Sequence, residues 1–141
     1  MKVVLLNPPH TAIGSRIPGD HLPPLGLLCV GGPLLDDGHD VRLVDADREG
    51  TLVDDVAELV LIHAPEIVMI GHSGSGSIHA TVRRICRDLK ARRPDLTVIY
   101  GGVYPTFHWD EILEESSDID IIVRGEGENT SRQLVRALES G

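Results

Sequence analysis

Short apolar runs rich in β-branched residues alternate along the chain with longer segments in which apolar residues recur at helical spacing. Such short runs are typical of strands buried on both faces, and the longer spacing is typical of amphipathic helices. Strands are predicted at residues 3–6, 41–44, 67–70, 98–100 and 119–123. Helices are predicted at residues 25–37, 52–63, 78–93, 109–116 and 130–140. We therefore expect five successive strand–helix units.

This succession predicts an α/β fold, with one domain over residues 1–141. Right-handed crossovers place helices on both faces of an open parallel sheet. The usual strand order of a five-stranded, flavodoxin-like (Rossmann-like) sheet is 2-1-3-4-5. That order opens a crevice between strands 1 and 3 at their carboxyl ends, where ligands bind.

Glycines concentrate in the loops predicted at this ligand edge. The loops are residues 7–10 (NPPH), 71–77 (GHSGSGS), 101–106 (GGVYPT) and 124–128 (RGEGE). Glycine lets the backbone approach a bulky ligand closely, and free N–H groups at the start of the helix after Ser77 could hold a phosphate or an amide. Turns use glycine in any case, and Ser75 or Ser77 would suit N-capping. Several such loops on one edge favour a binding site.

Composition and charge exclude several partners. The net charge is −9 and aromatic residues make up 3%, so we expect no nucleic acid partner. The longest apolar stretch, residues 22–35, is short and interrupted by prolines and glycines, which predicts no membrane span. Cys29 and Cys86 are too far apart for a CxxC motif and are interpreted as buried apolar residues of a cytoplasmic protein.

Motifs of other ligand-binding α/β domains are absent. The chain has neither a P-loop nor a GxGxxG motif after strand 1, which disfavours nucleotide cofactors. A phospho-acceptor domain would need acidic residues and a lysine where Asn7, Gly71 and Arg124 stand. Asp45 and Asp47 are interpreted as solvated charges after strand 2. No nucleophile and base can be placed together, so no catalytic residue is assigned.

Five motifs, in this order and at these strand ends, resemble the cobalamin-binding N-terminal domain of radical SAM enzymes. They are residues 7–9 (NPP), 23–28 (PPLGLL), 38–41 (GHDV), 101–106 (GGVYPT) and 124–128 (RGEGE). The resemblance covers nearly the whole chain. The family includes the anaerobic magnesium-protoporphyrin IX monomethyl ester oxidative cyclase group, of bacteriochlorophyll biosynthesis, and many methyltransferases. It implies that the chain is the N-terminal part of a longer cyclase or methyltransferase.

The resemblance also implies where cobalamin would bind. The corrin ring would lie across the carboxyl edge of the sheet, bordered by Tyr104 to Thr106. Its dimethylbenzimidazole tail would enter a cleft after strands 1, 3 and 4, meeting Ser73 to Ser75 and sliding against Gly101 and Gly102. Gly125 to Gly127 would close the far side. The implied cofactor-binding residues are Asn7, Pro8, Pro9, Ser73, Gly74, Ser75, Gly101, Gly102, Tyr104, Pro105, Thr106, Gly125, Glu126 and Gly127.

Two departures from related proteins shape the expectation. Methionine-synthase-like domains carry a D-x-H-x-x-G motif whose histidine ligates cobalt, but Asn7, His10 and Gly14 keep neither its Asp nor its spacing. Cobalamin is therefore expected base-off, without a protein histidine, and no metal ligand is assigned. The CxxxCxxC motif is also absent. S-adenosylmethionine and a 4Fe-4S cluster are expected only in a C-terminal radical SAM domain, the partner of this chain, which alone is not expected to be catalytic.

Other functions stay open at this point. His10 and His72 are expected on loops of the ligand edge, where either could ligate a metal or shuttle a proton. A free-standing flavodoxin-like domain could bind another small ligand, and a flavin would stack on aromatic residues near this edge. Those residues are Tyr100, Tyr104, Phe107 and Trp109. An interaction module would instead expose an apolar patch.

Overall fold

The computed structural model of the chain describes residues 1–9, 23–72 and 76–141. The strands are β1 (Lys2–Asn7), β2 (Asp40–Asp45), β3 (Ile67–His72), β4 (Thr97–Gly102) and β5 (Ile121–Val123). The helices are α1 (Leu25–Asp36), α2 (Val56–Leu61), α3 (His79–Arg92), α4 (Val103–Phe107), α5 (Trp109–Glu115) and α6 (Glu128–Ser140). Short 3₁₀ turns at Val53–Asp55 and Gly76–Ile78 precede α2 and α3.

The five strands form one parallel sheet in the order β2-β1-β3-β4-β5. The predicted α/β, flavodoxin-like fold and its strand order are therefore confirmed. The chain moves outward from β1 to β2 and then returns to the other side of β1 for β3, so the strand order reverses there. The crevice between the carboxyl ends of β1 and β3 is the place where such sheets bind ligands.

Two apolar layers attach the helices to the sheet, because successive strand side chains point to opposite faces. One layer lies under α1 and α6 and includes Leu5, Met69 and Ile99. The other lies under α2, α3 and α5 and includes Leu6 and Ile70. These two sides are called the α1/α6 face and the α3 face. A residue near the end of a strand can be assigned to one of them by alternation from its buried neighbour.

Two elements are shorter than predicted. The helix expected at residues 52–63 is a 3₁₀ turn followed by the six-residue α2, because only Val56, Ala57 and Val60 of this segment are buried against the sheet. The strand expected from residue 119 begins at Ile121. Just before it, the Asp120 backbone N–H donates to the Val98 carbonyl at 3.0 Å, and the Asp120 carboxylate accepts the Val98 backbone N–H at 2.7 Å.

The two cysteines lie in different environments. Cys86 is buried as predicted, and burial raises the pKa of its thiol to about 12. The prediction that Cys29 is buried is wrong, since it is exposed. The buried residues of α1 are Leu27, Gly31 and Leu34, and a residue two positions after Leu27 points away from that stripe. No helix among the described residues is long and apolar enough to cross a membrane.

Candidate functional site

The ends of β3 and β4 carry glycines on the α1/α6 face. Gly71 pairs with Gly101, and Gly101 pairs with Val123 of β5. A Cβ atom on Gly101 would make only ordinary contact with the Val123 carbonyl oxygen, at 3.5 Å. Gly127 continues this row at the start of α6, where an added Cβ would contact the Val30 and Val123 side chains. Gly71, Gly101 and Gly127 are called the glycine strip, a floor without side chains between the sheet and two helices.

The sequence motifs did not single out Gly71, although it lies at the centre of this geometry. Leu27 of α1 packs directly on it, and a Cβ atom on Gly71 would lie 3.0 Å from the Leu27 Cδ2. Two sequence signals point to Gly71: it begins the glycine-rich segment 71–77, and it is spaced by two residues from the buried Met69. That spacing puts Gly71 on the same face as α1 only once the helix positions are known.

The predicted loop at residues 101–106 is instead ordered secondary structure. Gly101 and Gly102 end β4, and residues 103–107 form α4. Gly102 has a φ of +115°, which glycine adopts readily and other residues do not. Within α4, Pro105 is buried and Tyr104 is half-buried. Residues 101–106 of the predicted site therefore belong to regular secondary structure and do not form a loop.

Thr106 joins the loops after β4 and β5. Its hydroxyl donates to the Gly102 carbonyl at 2.7 Å and accepts the Gly125 N–H at 2.9 Å. The Thr106 carbonyl accepts a bond from the Arg124 Nε at 3.2 Å. Gly125 has a φ of +68°, which suits a tight turn before α6. The structure thus brings together the predicted residues of the 101–106 and 124–128 segments, with Glu126 exposed on their turn.

A column of rings occupies the α3 face below this edge. The His72 Nε2 lies 3.0 Å from the Tyr100 hydroxyl, and the rings of Tyr100, His79, Tyr104 and His108 follow one another at centroid distances of 6.0, 4.9 and 4.3 Å. Tyr104 also packs on Gly76, where an added Cβ would lie 2.7 Å from its ring. The column therefore holds Tyr104, and through it α4, against α3.

Two predictions about this column are wrong. His72 is a buried residue of β3 and not a loop residue, because β3 extends past the predicted strand end. Tyr100 is fully buried, so it is not a stacking surface for a flavin. Burial raises the pKa of the Tyr100 hydroxyl. Burial first, and then the nearby Arg83 guanidinium, lower the pKa of His79, whose Nδ1 accepts no hydrogen bond from any described group.

The residues after β1 form a compact corner. Pro8 and Pro9 are buried, and the Asn7 Nδ2 donates to the Asp45 Oδ1 at 2.8 Å. The Arg48 backbone N–H donates to the same oxygen at 3.2 Å. The interpretation of Asp45 as a merely solvated charge is therefore wrong, since this carboxylate fixes the ends of β1 and β2 together.

Four residues singled out in the sequence cannot be placed, and the described residues form no metal site. Ser73, Gly74, Ser75 and His10 lie outside the described residues. Within the described ranges, no group of three or more His, Cys, Asp and Glu residues is placed to hold a metal ion.

A shallow cleft of about 420 Å³ lies away from the glycine strip, beside the end of β2 and α2. Its lining includes Glu49, Glu58 and Ile62.

An apolar rim lies beside the glycine strip. Val103 and Phe107 of α4 are 56% and 75% exposed, and the Arg124 guanidinium covers the Trp109 ring at 5.3 Å. Val103 and Phe107 are four residues apart and so share one side of their helix. Together with the Trp109 ring they give this side of the edge an exposed apolar surface.

Comparison with known proteins gives three kinds of match. The family model described as B12 binding domain matches residues 11–135. The anaerobic magnesium-protoporphyrin IX monomethyl ester cyclase of Synechocystis sp. is 55% identical over 141 residues, which are 99% of this chain and 28% of that protein. An uncharacterized methyltransferase of Pyrococcus horikoshii is 34% identical over 142 residues, which are 100% of this chain and 30% of that protein.

A solved structure shares the fold. The radical S-adenosylmethionine methyltransferase TsrM from Kitasatospora setae superposes with a TM-score of 0.80 at 19% sequence identity, over 99% of this chain and 26% of that chain. The 141 residues thus span less than a third of the length of each of these three relatives.

Proposed function

This chain belongs to the B12-binding domain family, and we propose that it holds cobalamin at the carboxyl edge of its sheet as the cofactor module of a longer radical SAM methyltransferase or cyclase. In this proposal residues 1–141 are a single domain in the N-terminal part of that protein. A C-terminal domain would carry S-adenosylmethionine and the 4Fe-4S cluster. When bound, cobalamin would supply methyl transfer or electron transfer.

The glycine strip is the observation that carries the proposal. A flat, bulky group can lie against backbone only where Cβ atoms are missing, and Gly71, Gly101 and Gly127 remove them from the ends of β3 and β4 and from the start of α6. The strip begins at the strand-order reversal, where ligands of such sheets bind. The residues of this chain therefore fit the tail of cobalamin.

The remaining predicted residues have roles consistent with this placement. Tyr104, Pro105 and Thr106 would border the corrin from α4. The segment 125–127 would close the far side of the tail slot, the space above the glycine strip in which the cofactor tail would lie. Asn7, Pro8 and Pro9 would form its near wall, fixed by the Asn7 to Asp45 hydrogen bond. The assignment of Ser73, Gly74 and Ser75 to the tail is a proposal from the sequence alone.

We also propose that cobalamin binds base-off and without a histidine ligand. His72 supports this, because its Nε2 lies 3.0 Å from the Tyr100 hydroxyl inside the α3 face and is not directed at the glycine strip. The absence of the D-x-H-x-x-G spacing around His10 supports it from the sequence. With the tail in the slot and no imidazole in its place, the lower face of the corrin would have no protein nitrogen.

An interaction module is the second candidate function, favoured by the exposed Val103 and Phe107. The two functions are compatible, since a cofactor module must also face the domain that uses the cofactor. The two functions predict different binding behaviour toward cobalamin. A pure interaction module would show no saturable binding of a corrinoid.

The deciding experiment is a titration of the 141-residue chain with hydroxocobalamin, followed by visible absorption and NMR shift mapping. We expect saturable binding, a base-off spectrum, and shifted amides near Gly71, Gly101 and Gly127. A base-on spectrum would contradict the free lower face. A histidine-ligated spectrum would contradict it as well. Absence of binding at millimolar cofactor would contradict the proposed function of this chain.

A further inference from the structure

We propose that Leu27 is a gate over the glycine strip, and that the first turns of α1 swing about Gly31–Pro33 to let the cofactor tail enter. The inference rests on the proposed function, since it concerns how the same slot is reached. It starts from the position of Leu27, which is only 7% exposed and packs on Gly71 at van der Waals distance. The space that a tail would need above Gly71 is therefore filled by this side chain.

The C-terminal half of α1 is firmly held. Gly31 presses on β1 so closely that an added Cβ would lie 2.8 Å from the Leu5 Cδ1. Leu34 is completely buried. Asp37, directly after the helix, accepts paired hydrogen bonds from the guanidinium groups of Arg132 and Arg136 on α6. This half of the helix cannot move without breaking a packed core and two ion pairs.

The N-terminal half of α1 has much weaker attachments among the described residues. Leu25, Leu28 and Cys29 are exposed, Val30 is half-buried, and Leu27 is the only buried side chain of this half. Pro24 at the N-cap has no side-chain donor or acceptor, and the first turn carries no acidic residue to interact with the helix dipole. Among the described residues, displacing this half costs chiefly the contacts of Leu27 and of the half-buried Val30, which packs near Gly127.

The sequence Gly31-Gly32-Pro33 forms a weak joint between the two halves. Pro33 has no N–H, so the Cys29 carbonyl lacks its helical partner there. Gly32 is exposed, and a Cβ built on it would meet no described atom within 4 Å. Packing therefore does not require glycine at this position. A glycine here would instead ease bending of the helix, because glycine, after proline, is the residue that loses least stability when it leaves the helical conformation.

The first test compares two exposed glycines of α1. Gly32→Ala adds helix propensity at the joint, while Gly26→Ala adds it inside the moving half, where a Cβ also meets no described atom. If opening precedes binding, the association rate follows the open population. We expect Gly32→Ala to slow hydroxocobalamin association about fivefold, the factor that corresponds to one Gly-to-Ala helix propensity difference. Gly26→Ala should associate at the wild-type rate.

The second test changes the gate itself. Leu27→Ala should speed hydroxocobalamin association several-fold, because the slot above Gly71 is then partly empty. Cobinamide, a corrinoid without the nucleotide tail, should associate with all variants at one rate, since it does not need the slot. Amide hydrogen exchange of the cofactor-free chain gives a readout that is independent of the ligand. Amides of residues 28–30 should exchange faster than those of residues 34–36, and Gly32→Ala should slow them.

The outcomes separate this inference from the function on which it rests. If the wild-type chain binds hydroxocobalamin and Gly32→Ala and Gly26→Ala associate equally fast, the gate is refuted and the cofactor function stands. Equal effects of Gly32→Ala on cobalamin and cobinamide would also refute a gate at the tail slot. If Leu27→Ala does not fold, the two glycine variants still decide. A wild-type chain that binds no corrinoid would overturn both proposals.

Discussion

A Cβ atom on Gly102 would lie 2.6 Å from the backbone carbonyl oxygen of His72, the residue opposite it on the neighbouring strand. Gly102 also has a φ of +115°. Steric crowding and backbone conformation thus independently require glycine where β4 ends and α4 begins. The adjacent Gly101 differs on both counts, since a Cβ there would make only ordinary van der Waals contact and its φ is not positive.

Gly102→Ala is accordingly expected to destabilise the cofactor-free chain by about 1–3 kcal/mol, the cost of holding a side chain in such a conformation. Gly101→Ala is the matched control and should change stability by less than about 1 kcal/mol. Urea unfolding monitored by circular dichroism measures both. Equal losses in the two variants would show that the contact with His72 does not govern this turn.

Gly101→Val tests the proposed binding role of the same strand end. Valine suits a strand, and the backbone here accepts a Cβ, so the fold should remain intact. The two added methyl groups would project from the glycine strip and should abolish hydroxocobalamin binding in the titration. Unchanged affinity, with an unchanged circular dichroism spectrum, would remove the cofactor tail from β4.

The strands and their order could be predicted because each buried parallel strand is a nearly continuous apolar run. Val3 to Leu6 and Ile67 to Ile70 show this directly, and both are fully or almost fully buried. The order then follows from the fold class rather than from the individual sequences. The second helix was overestimated because helical spacing continues through Leu52 and Ile62, which are exposed and gain nothing from packing.

The site depends on relationships that a sequence does not display. The pairing of His72 with Tyr100 joins residues 28 positions apart and follows from the β3 to β4 register. α4 is five residues long and contains Pro105, too short to show a helical period. Leu27 and Gly71 meet only because α1 crosses the end of β3. The glycine motifs lie at the carboxyl edge of the sheet, and tertiary packing decides which of these glycines lie in the glycine strip.

Asp37→Asn should destabilise the chain by removing the carboxylate shared by Arg132 and Arg136. Hydrogen bonds from these two guanidinium groups hold the pKa of Asp37 far below its ordinary value of 3.8. A lowered carboxyl pKa stabilises the fold above the unfolded pKa, and that contribution is lost as the pH falls further. The melting temperatures of wild type and variant should therefore differ at pH 7, and the gap should begin to narrow only below about pH 4 and continue to narrow as the pH falls toward the lower folded pKa.

Asp36→Asn is the control for that comparison, since Asp36 is the exposed neighbour in the last turn of α1 and acts on Arg132 only through its charge, without a hydrogen bond or ion pair to either arginine. It should leave the melting temperature nearly unchanged at both pH values. A gap between wild type and Asp37→Asn that persists undiminished at acid pH would show that the ionised carboxylate is not the stabilising group.

His79 should make the fold sensitive to mild acid. Its imidazole lies between the rings of Tyr100 and Tyr104, faced by Arg83 of α3, Glu115 of α5 and His108. Burial is the main cause that lowers its pKa from 6.5, Arg83 and His108 add to it, and Glu115 opposes it. An unfolded chain thus takes up this proton at a higher pH than the folded chain. The free energy of unfolding should therefore be highest above about pH 7, and it should decrease as the pH falls from the His79 pKa of the unfolded chain toward that of the folded chain.

His79→Phe keeps a ring in the column and removes the titration. Its free energy of unfolding should change less between pH 7.5 and pH 5.5 than that of wild type, as measured by urea unfolding at the two pH values. The other six histidines are common to both proteins. His79→Gln, which cannot stack as a ring, should be less stable at both pH values yet share the weaker pH dependence. If wild type and both variants lose stability in parallel on acidification, His79 is not the group that titrates.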